Sequence, residues 1–428
     1  MKAVILAGGK GTRLNNLTNV IPKPMLKIGD KPLLEHQIEL LKRYDIQEIY
    51  ILVNHLKDVI IDYFGDGKDF GVSITYYEEK EPLGTVGGLK EIEDFLDTDF
   101  VVLYGDVMIN MDINRLLKFH FDHNSHCTLV LHPNNHPFDS DLVEIDDKFR
   151  VTGFLPKPHP QNLYYRNLVN AGAYVMNPVM FDYIEKGVKA DFGKDIFPQI
   201  FPEIRMYGYN TAEYLKDMGT PSRLKEVNDD FLTGKTEAYS YANKRKAVFM
   251  DRDGVINIEK SFISKPEDMI LYDFTAEAIK KLNDAGFLTI VVTNQSVIAR
   301  NLCDFEQLET IHKKLETDLG KVGAKLDRIY YCPHHPDKGY PEENAEYKID
   351  CECRKPKIGM FRQALEDFNI DVENSYMIGD SERDIIFGIN SGLKTIGVKT
   401  GYALEKSKVS PDYLFEDLAK AVDFIVNI

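Results

Sequence analysis

The chain has 428 residues, a length at which one hydrophobic core usually gives way to two. With 43% hydrophobic and 28% charged residues, and no apolar run near the roughly 20 residues that span a bilayer, it is expected to be soluble and cytoplasmic, with no membrane partner. A net charge of -16 excludes a general cationic surface for nucleic acid, so anionic ligands must be met by local sites.

The first apolar run, 3–7 (AVILA), follows a single lysine and leads into a glycine-rich turn instead of a cleavage site, so it reads as a buried strand and not a secretory leader. Further apolar runs at 48–54, 100–106, 247–251, 288–294 and 375–380 alternate with helical patterns. That alternation predicts an α/β protein of two Rossmann-like domains, the first with a mixed, mainly parallel sheet and the second with a parallel sheet. The stretch LTGKTEAYSYANKRK, 232–246, is polar and aperiodic, and it places the domains at 1–233 and 246–428 with a linker at 234–245. Five cysteines without a secretory signal point to a reducing compartment, and the grouping of Cys332, Cys351 and Cys353 points to metal instead of disulfide.

Gly8-Gly9-Lys10-Gly11-Thr12-Arg13 directly follows the first strand. Glycines there let backbone N–H groups approach a polyphosphate, and Arg13 adds a forked cation. Pro22-Lys23-Pro24 stiffens the segment that carries a second phosphate-directed charge. Leu83-Gly84-Thr85-Val86-Gly87-Gly88 offers another close-approach loop, and Asp106 closes an apolar strand at the edge where α/β sheets gather ligands. A second carboxylate, Asp217, precedes the turn Gly219-Thr220-Pro221. Two such carboxylates can share a Mg²⁺ that shields triphosphate charge while a sugar phosphate attacks the α-phosphorus.

Together with Asn170-Ala171-Gly172, these motifs resemble the sugar-1-phosphate nucleotidyltransferases over about residues 1 to 232. The resemblance implies Arg13 and Lys23 on the nucleotide phosphates, Asp106 and Asp217 on magnesium, and Gly87, Lys157, Asn170 and Gly172 near the sugar phosphate. One position departs from it. Where the family commonly has Glu-Lys-Pro, this chain has Pro156-Lys157-Pro158, without the carboxylate that often grips a sugar hydroxyl.

In the second half, Asp251-Arg252-Asp253 follows an apolar strand, a spacing that lets one carboxylate attack phosphorus and the other handle the leaving-group proton. Thr293-Asn294 ends the next strand, Arg354-Lys355 supplies cations, and Gly379-Asp380 closes a further strand with Asp384 on the helix after it. A nucleophile, a hydroxyl donor, cations and metal carboxylates form a phosphoryl-transfer set. These residues resemble the haloacid-dehalogenase superfamily of phosphatases. The resemblance implies Asp251 as nucleophile, Asp253 as general acid and base, Thr293 and Lys355 as phosphoryl binders, and magnesium at a group of Asp251, Asp253 and Asp380.

Cys332-Pro333-His334-His335, with Cys351 and Cys353, can surround a structural Zn²⁺; His334 is the chosen imidazole and His335 the alternative. With Asn294-Gln295-Ser296 and Ile298-Ala299-Arg300, this loop resembles the heptose-1,7-bisphosphate 7-phosphatases and the histidinol-phosphate phosphatases, with Val297 where a glycine is expected. Arg300, Asn294 and Arg354 then join the substrate side. A phosphatase that leaves a sugar 1-phosphate fits a partner domain that activates one, so the pair implies nucleotide-sugar synthesis, and the resemblance to families in which that partner is a heptose 1-phosphate guanylyltransferase implies GTP and a heptose 1-phosphate as substrates. Another sugar with UTP, CTP or dTTP, or a sensing N-terminal half, stays open, and a homo-oligomer is compatible with either.

Overall fold

The computed structural model describes residues 1–9, 14, 18–79, 83–160, 162–339, 341–405 and 407–428. It divides into two compact units: Met1–His132, Ser140–Lys157 and Leu168–Ala242 form the first, and Pro133–Asp139, Pro158–Asn167 and Asn243–Ile428 the second. The six apolar runs are strands, at Lys2–Leu6, Glu48–Val53, Phe100–Tyr104, Ala247–Met250, Leu288–Asn294 and Tyr376–Gly379. Among the described residues, no helix is long and apolar enough to cross a membrane.

In the first unit, the strands Ser73–Glu78, Glu48–Val53, Lys2–Leu6 and Phe100–Tyr104 lie parallel in that order, and Val169–Met176 runs antiparallel beside the last. They belong to a mixed sheet of nine strands among the described residues. The sequence is apolar without alternation here because both faces are covered. Ala3, Ile5, Ile49, Ile51, Val101 and Leu103 enter one core, while Val4, Tyr50, Leu52, Phe100 and Val102 enter another on the opposite face.

The stretch expected to be a linker is partly packed on this unit. It holds a short helix, Lys235–Ala238, and Tyr241 donates its N–H to Glu213 at 2.8 Å while the Arg115 guanidinium stacks 3.8 Å from the Tyr241 ring. Glu237 there accepts from the buried Asn110 at 2.8 Å, a long-range contact that a reading of periodicity does not register.

The second unit has a parallel sheet in the order Arg328–Cys332, Leu288–Asn294, Ala247–Met250, Tyr376–Gly379, Lys394–Val398 and Tyr413–Phe415. From Ala247–Met250 the chain steps outward through two strands, then returns to the other side of its start. Such a reversal opens a crevice at the C-terminal strand ends. The helix Phe305–Gly320 is set by a capping box between Asp304 and Gln307 and buries Leu308, Ile311, His312, Leu315 and Leu319 along one stripe. Arg166, from the segment Pro158–Asn167, donates to both oxygens of Glu309 at 2.7 and 3.0 Å and to Glu316 at 2.8 Å.

Candidate active sites

In the first unit, Phe100–Tyr104 turns at Gly105-Asp106 into the strand Val107–Asn110, which pairs antiparallel with Tyr214–Asp217. The register sets Asp217 opposite Val107, and the N–H of Met218 donates to the Asp106 carbonyl at 3.0 Å. Asp106 and Asp217 are thereby brought side by side. Lys23 is buried and its Nζ lies 2.5 Å from Asp106 Oδ2, so the lysine between the two prolines reaches the same place. Burial opposes ionisation of Asp217, but the Arg223 guanidinium at 2.9 and 3.1 Å, the Gly219 N–H and the charge of Lys23 outweigh it and hold the carboxyl below its usual range. Asp217 is therefore ionised, the form in which a carboxylate can offer oxygen to a hard cation.

Around this corner, Gly84 bridges to Ala190, and Thr85 donates to Asp191 at 3.2 Å. The Tyr104 and Tyr174 rings meet edge to face, 5.6 Å between centroids. Asn170 Oδ1 receives the Gly172 N–H at 3.4 Å, whereas Lys157 is exposed and its N–H donates to Asp141 at 3.1 Å. Gly87 begins a short buried helix and Gly9 is exposed beside Gly8. Lys10, Gly11, Thr12 and Arg13 lie outside the described residues.

One acid at this edge escaped the sequence reading. Glu79 is buried against the glycine loop, so that a Cβ on Gly8 would stand 2.4 Å from its Oε2 and one on Gly88 2.6 Å from its Oε1. Burial pushes its carboxyl up to about 7, partly offset by the Gly88 N–H.

In the second unit, the C-terminal strand ends carry Asp251, Thr293, Asn294, Cys332 and Asp380 to one edge of the sheet. Asp251, Asp380 and Asp384 offer oxygens within 4.8 Å of one another. Lys355 enters the same group, with Nζ 3.0 Å from Asp251 and 2.6 Å from Asp384. Asp380 sinks between Gly254 and Gly401, where added Cβ atoms would come within 2.3 and 2.0 Å of its carboxylate. Burial raises Asp251 to about 7, against the pull of Lys355, and burial followed by the charges of Asp251 and Asp384 raises Asp380 to about 8. Three carboxylates facing one ammonium leave excess negative charge, and a divalent cation fits that deficit.

Asp253 stands apart from this group. Its oxygens receive Arg252 at 3.0 to 3.2 Å, Asn257 at 2.9 Å and Gln295 at 2.9 Å. Burial would raise its carboxyl, but the Arg252 charge and these donors hold it below the usual range. The side chains within reach of one cation are Asp251, Asp380 and Asp384, and Asp253, expected among them, lies outside that group with its oxygens accepting from Arg252, Asn257 and Gln295. Gln295 also donates to Thr293 at 2.8 Å, and Asn294 exchanges two bonds with the Lys355 backbone at 3.0 and 3.2 Å.

The five cysteines are all free thiols. Cys332, His334, Cys351 and Cys353 present four ligand atoms within 4.8 Å of one another. The thiols of Cys332 and Cys353 lie 3.5 and 3.3 Å from that of Cys351, and His334 Nδ1 lies 3.7 and 3.3 Å from Cys332 and Cys353. Sulfurs bound tetrahedrally to one Zn²⁺ at about 2.3 Å would be about 3.8 Å apart, so the spacing suits that ion. His335 is engaged elsewhere: its Nε2 accepts from Arg300 at 3.2 Å. Arg300 also meets Glu343 at 3.3 Å and the Phe262 ring at 4.9 Å, and Arg354 donates to the His334 carbonyl at 3.0 Å.

Residues 2–234, more than half of the chain, match the Nucleotidyl transferase family. The chain belongs to that family. This nucleotidyl transferase also matches the HAD-hydrolase-like family over residues 352–421. It is 39% identical over 184 residues to a D-glycero-beta-D-manno-heptose-1,7-bisphosphate 7-phosphatase of Haemophilus ducreyi, covering 42% of this chain and 98% of that protein. Its second half therefore belongs with those phosphatases. It is also 37% identical over 214 residues to a UTP--glucose-1-phosphate uridylyltransferase of Synechocystis, covering 47% of this chain and 55% of the relative. With a mannose-1-phosphate guanyltransferase of Yarrowia lipolytica it shares 34% over 250 residues, covering 57% and 66%. The chain thus spans about half to two thirds of the length of these two relatives. One polypeptide joins a nucleotidyl transferase to a phosphatase.

Proposed function

We propose that the chain makes an activated heptose in two steps: it removes the 7-phosphate of D-glycero-D-manno-heptose 1,7-bisphosphate, then transfers GMP from GTP to the heptose 1-phosphate. The observation that carries this is the near full-length likeness of one half to a heptose-bisphosphate 7-phosphatase, fused to a nucleotidyl transferase. The first product is a sugar 1-phosphate, which is what the other half consumes.

In the phosphatase step, a carboxylate oxygen of Asp251 attacks phosphorus, the ester P–O bond breaks, and Asp253, ionised in the free site, passes a proton taken from water to the departing sugar oxygen. Water then opens the aspartyl phosphate as Asp253 accepts its proton and returns it to solvent. Lys355, Arg354 and Thr293 hold phosphoryl oxygens, and Arg300 with Asn294 lines the sugar side. Mg²⁺ held by Asp251, Asp380 and Asp384 would offset repulsion between nucleophile and phosphate. Zn²⁺ on Cys332, His334, Cys351 and Cys353 would be structural, fixing the loop that presents Arg354 and Lys355.

In the transferase step, a phosphate oxygen of the sugar attacks the α-phosphorus of GTP and pyrophosphate leaves. Lys23 and Arg13 meet the nucleotide phosphates, Gly8, Gly9, Gly11 and Thr12 line them, and Asp106 with Asp217 would hold the Mg²⁺ that shields them. Gly84, Gly87, Lys157, Asn170 and Gly172 face the sugar phosphate. Glu79 supports guanine as the base, because a carboxylate accepts both the N1–H and the N2 amine of that edge, whereas uracil and thymine offer one imide N–H between two carbonyls.

The test supplies the purified chain with heptose 1,7-bisphosphate, Mg²⁺ and each nucleoside triphosphate in turn. Phosphate, pyrophosphate and GDP-heptose are expected. Asp251→Asn should stop phosphate release and form GDP-heptose only when heptose 1-phosphate is added. Asp106→Ala should release phosphate without pyrophosphate. Pyrophosphate from the Asp106→Ala variant would sink the metal assignment, and preference for UTP with a hexose 1-phosphate would replace the sugar and base.

A further inference from the structure

We infer that His312 is a positioning residue of the phosphatase, which aims the carboxylate of Asp253 by way of Arg252. This rests on the reading of Asp253 as the group that handles the leaving-group proton.

Arg252 is fully buried, so each of its N–H groups needs a partner inside the protein. Its Nε and Nη2 reach Asp253 at 3.0 to 3.2 Å, and Nη2 also reaches Gln295 Oε1 at 2.9 Å. Its Nη1 faces His312 Nε2 at 3.2 Å. A guanidinium has five donors, no acceptor and no accessible neutral form. His312 Nε2 must therefore accept, which makes the ring neutral with its proton on Nδ1.

The surroundings agree with that state. His312 is fully buried, and burial together with the charges of Arg252 and Arg166 holds it well below the usual histidine range. Its Nδ1 has no hydrogen-bond partner among the described residues, so Arg252 is the polar contact that the ring serves. The helix Phe305–Gly320 fixes its place, since Leu308, Ile311, Leu315 and Leu319 flank it on the buried stripe. The guanidinium is thus held at both ends, by an imidazole behind and a carboxylate in front. Without the acceptor, a buried N–H of Arg252 would lack a partner and the guanidinium would turn, taking Asp253 with it.

Three variants of the full chain test this: His312→Gln, whose side-chain oxygen falls near the position of Nε2, and His312→Leu and His312→Asn, which put no acceptor there. In crystal structures of the Leu variant, the Arg252 guanidinium and the Asp253 carboxylate should be displaced from their wild-type positions. With Mg²⁺ and heptose 1,7-bisphosphate, kcat should fall about tenfold or more while KM stays within about twofold, as expected for a misplaced group that acts in the transition state. The Gln variant should recover most of that loss. Should the Leu variant fail to fold, the ranking of Gln above Asn in kcat carries the same test. Superposable Arg252 and Asp253 in wild type and variant, or equal kcat in Gln and Asn, would overturn the proposal. If the wild type hydrolyses no heptose bisphosphate, the functional reading fails, and the crystal comparison alone decides the role of His312.

Discussion

The ammonium of Lys355 lies 2.6 Å from a carboxylate oxygen of Asp384, and both side chains are 1% exposed. Burial alone would lower the lysine, but the charges of Asp251 and Asp384 hold it above its usual range. It is the cation placed among three carboxylates, so its removal throws their neutralisation onto a bound metal. Lys355→Met should lower phosphatase turnover by about a hundredfold, the usual scale for losing one preorganised donor to a developing charge. Thermal unfolding in EDTA and in Mg²⁺ should differ more for the variant than for the wild type. An unchanged gap would mean that Lys355 does not share the carboxylates with the metal.

The four-residue thiol and imidazole group makes a separate prediction about the loop it closes. His334→Ala should lower zinc content, read by metal analysis, and open the segment 333–350 to proteolysis, whereas His335→Ala should leave zinc in place. Cys351→Ser should act like His334→Ala. Phosphatase activity should fall in both zinc-poor variants, because Arg354 bonds the His334 carbonyl and Lys355 follows directly. Nucleotidyl transfer should persist. Zinc retained at full content by the Cys351→Ser protein would remove this thiol from the ligand set.

Much of the fold could be read from local pattern. The strands beginning at Lys2, Glu48, Phe100, Ala247, Leu288 and Tyr376 are apolar on both faces, and the site acids Asp106, Asp251 and Asp380 directly follow such runs. What escaped depends on contacts far apart in sequence. Glu79 sits in the charged run Glu78-Glu79-Lys80-Glu81, which reads as solvated, yet a strand end turns Glu78 outward and buries Glu79. His312 occupies an apolar position on its helix, a signal that it is buried but not of what it touches. Nothing local ties Pro133–Asp139 and Pro158–Asn167 to the second compact unit, or tells that Asp253 is held by Asn257 and Gln295.

Glu79→Gln tests the base reading directly. Its carboxyl, raised to about 7 by burial, is the acceptor of two guanine donors only when ionised. Apparent GTP affinity in the wild type should therefore improve as pH rises from 6 to 8, and the glutamine variant should lose that dependence. A lost bidentate pair costs about 1–3 kcal/mol of discrimination, so preference for GTP over UTP should drop by about tenfold or more. Equal preference in wild type and variant would take Glu79 out of base recognition.

Glu213 makes a prediction about stability instead of activity. Its Oε1 accepts the N–H groups of Asp112 and Tyr241, each at 2.8 Å, and Oε2 receives the Thr211 hydroxyl at 3.2 Å. Burial nevertheless raises its carboxyl to about 7. A carboxyl raised in the folded state binds more protons there than in the unfolded chain, so its contribution to stability is lost as pH rises from the unfolded value through about 7. Glu213→Gln keeps an oxygen for both backbone donors and removes the titration. Wild type and variant should lie nearest each other below about pH 4.5, and the variant should gain on the wild type as pH rises from there to about 7, by up to about 1.4 kcal/mol per pH unit at the steepest, with the gap constant above that. Denaturant unfolding at pH 5, 7 and 8 reads this difference, and parallel stability curves would show that Glu213 ionises in the folded protein without cost.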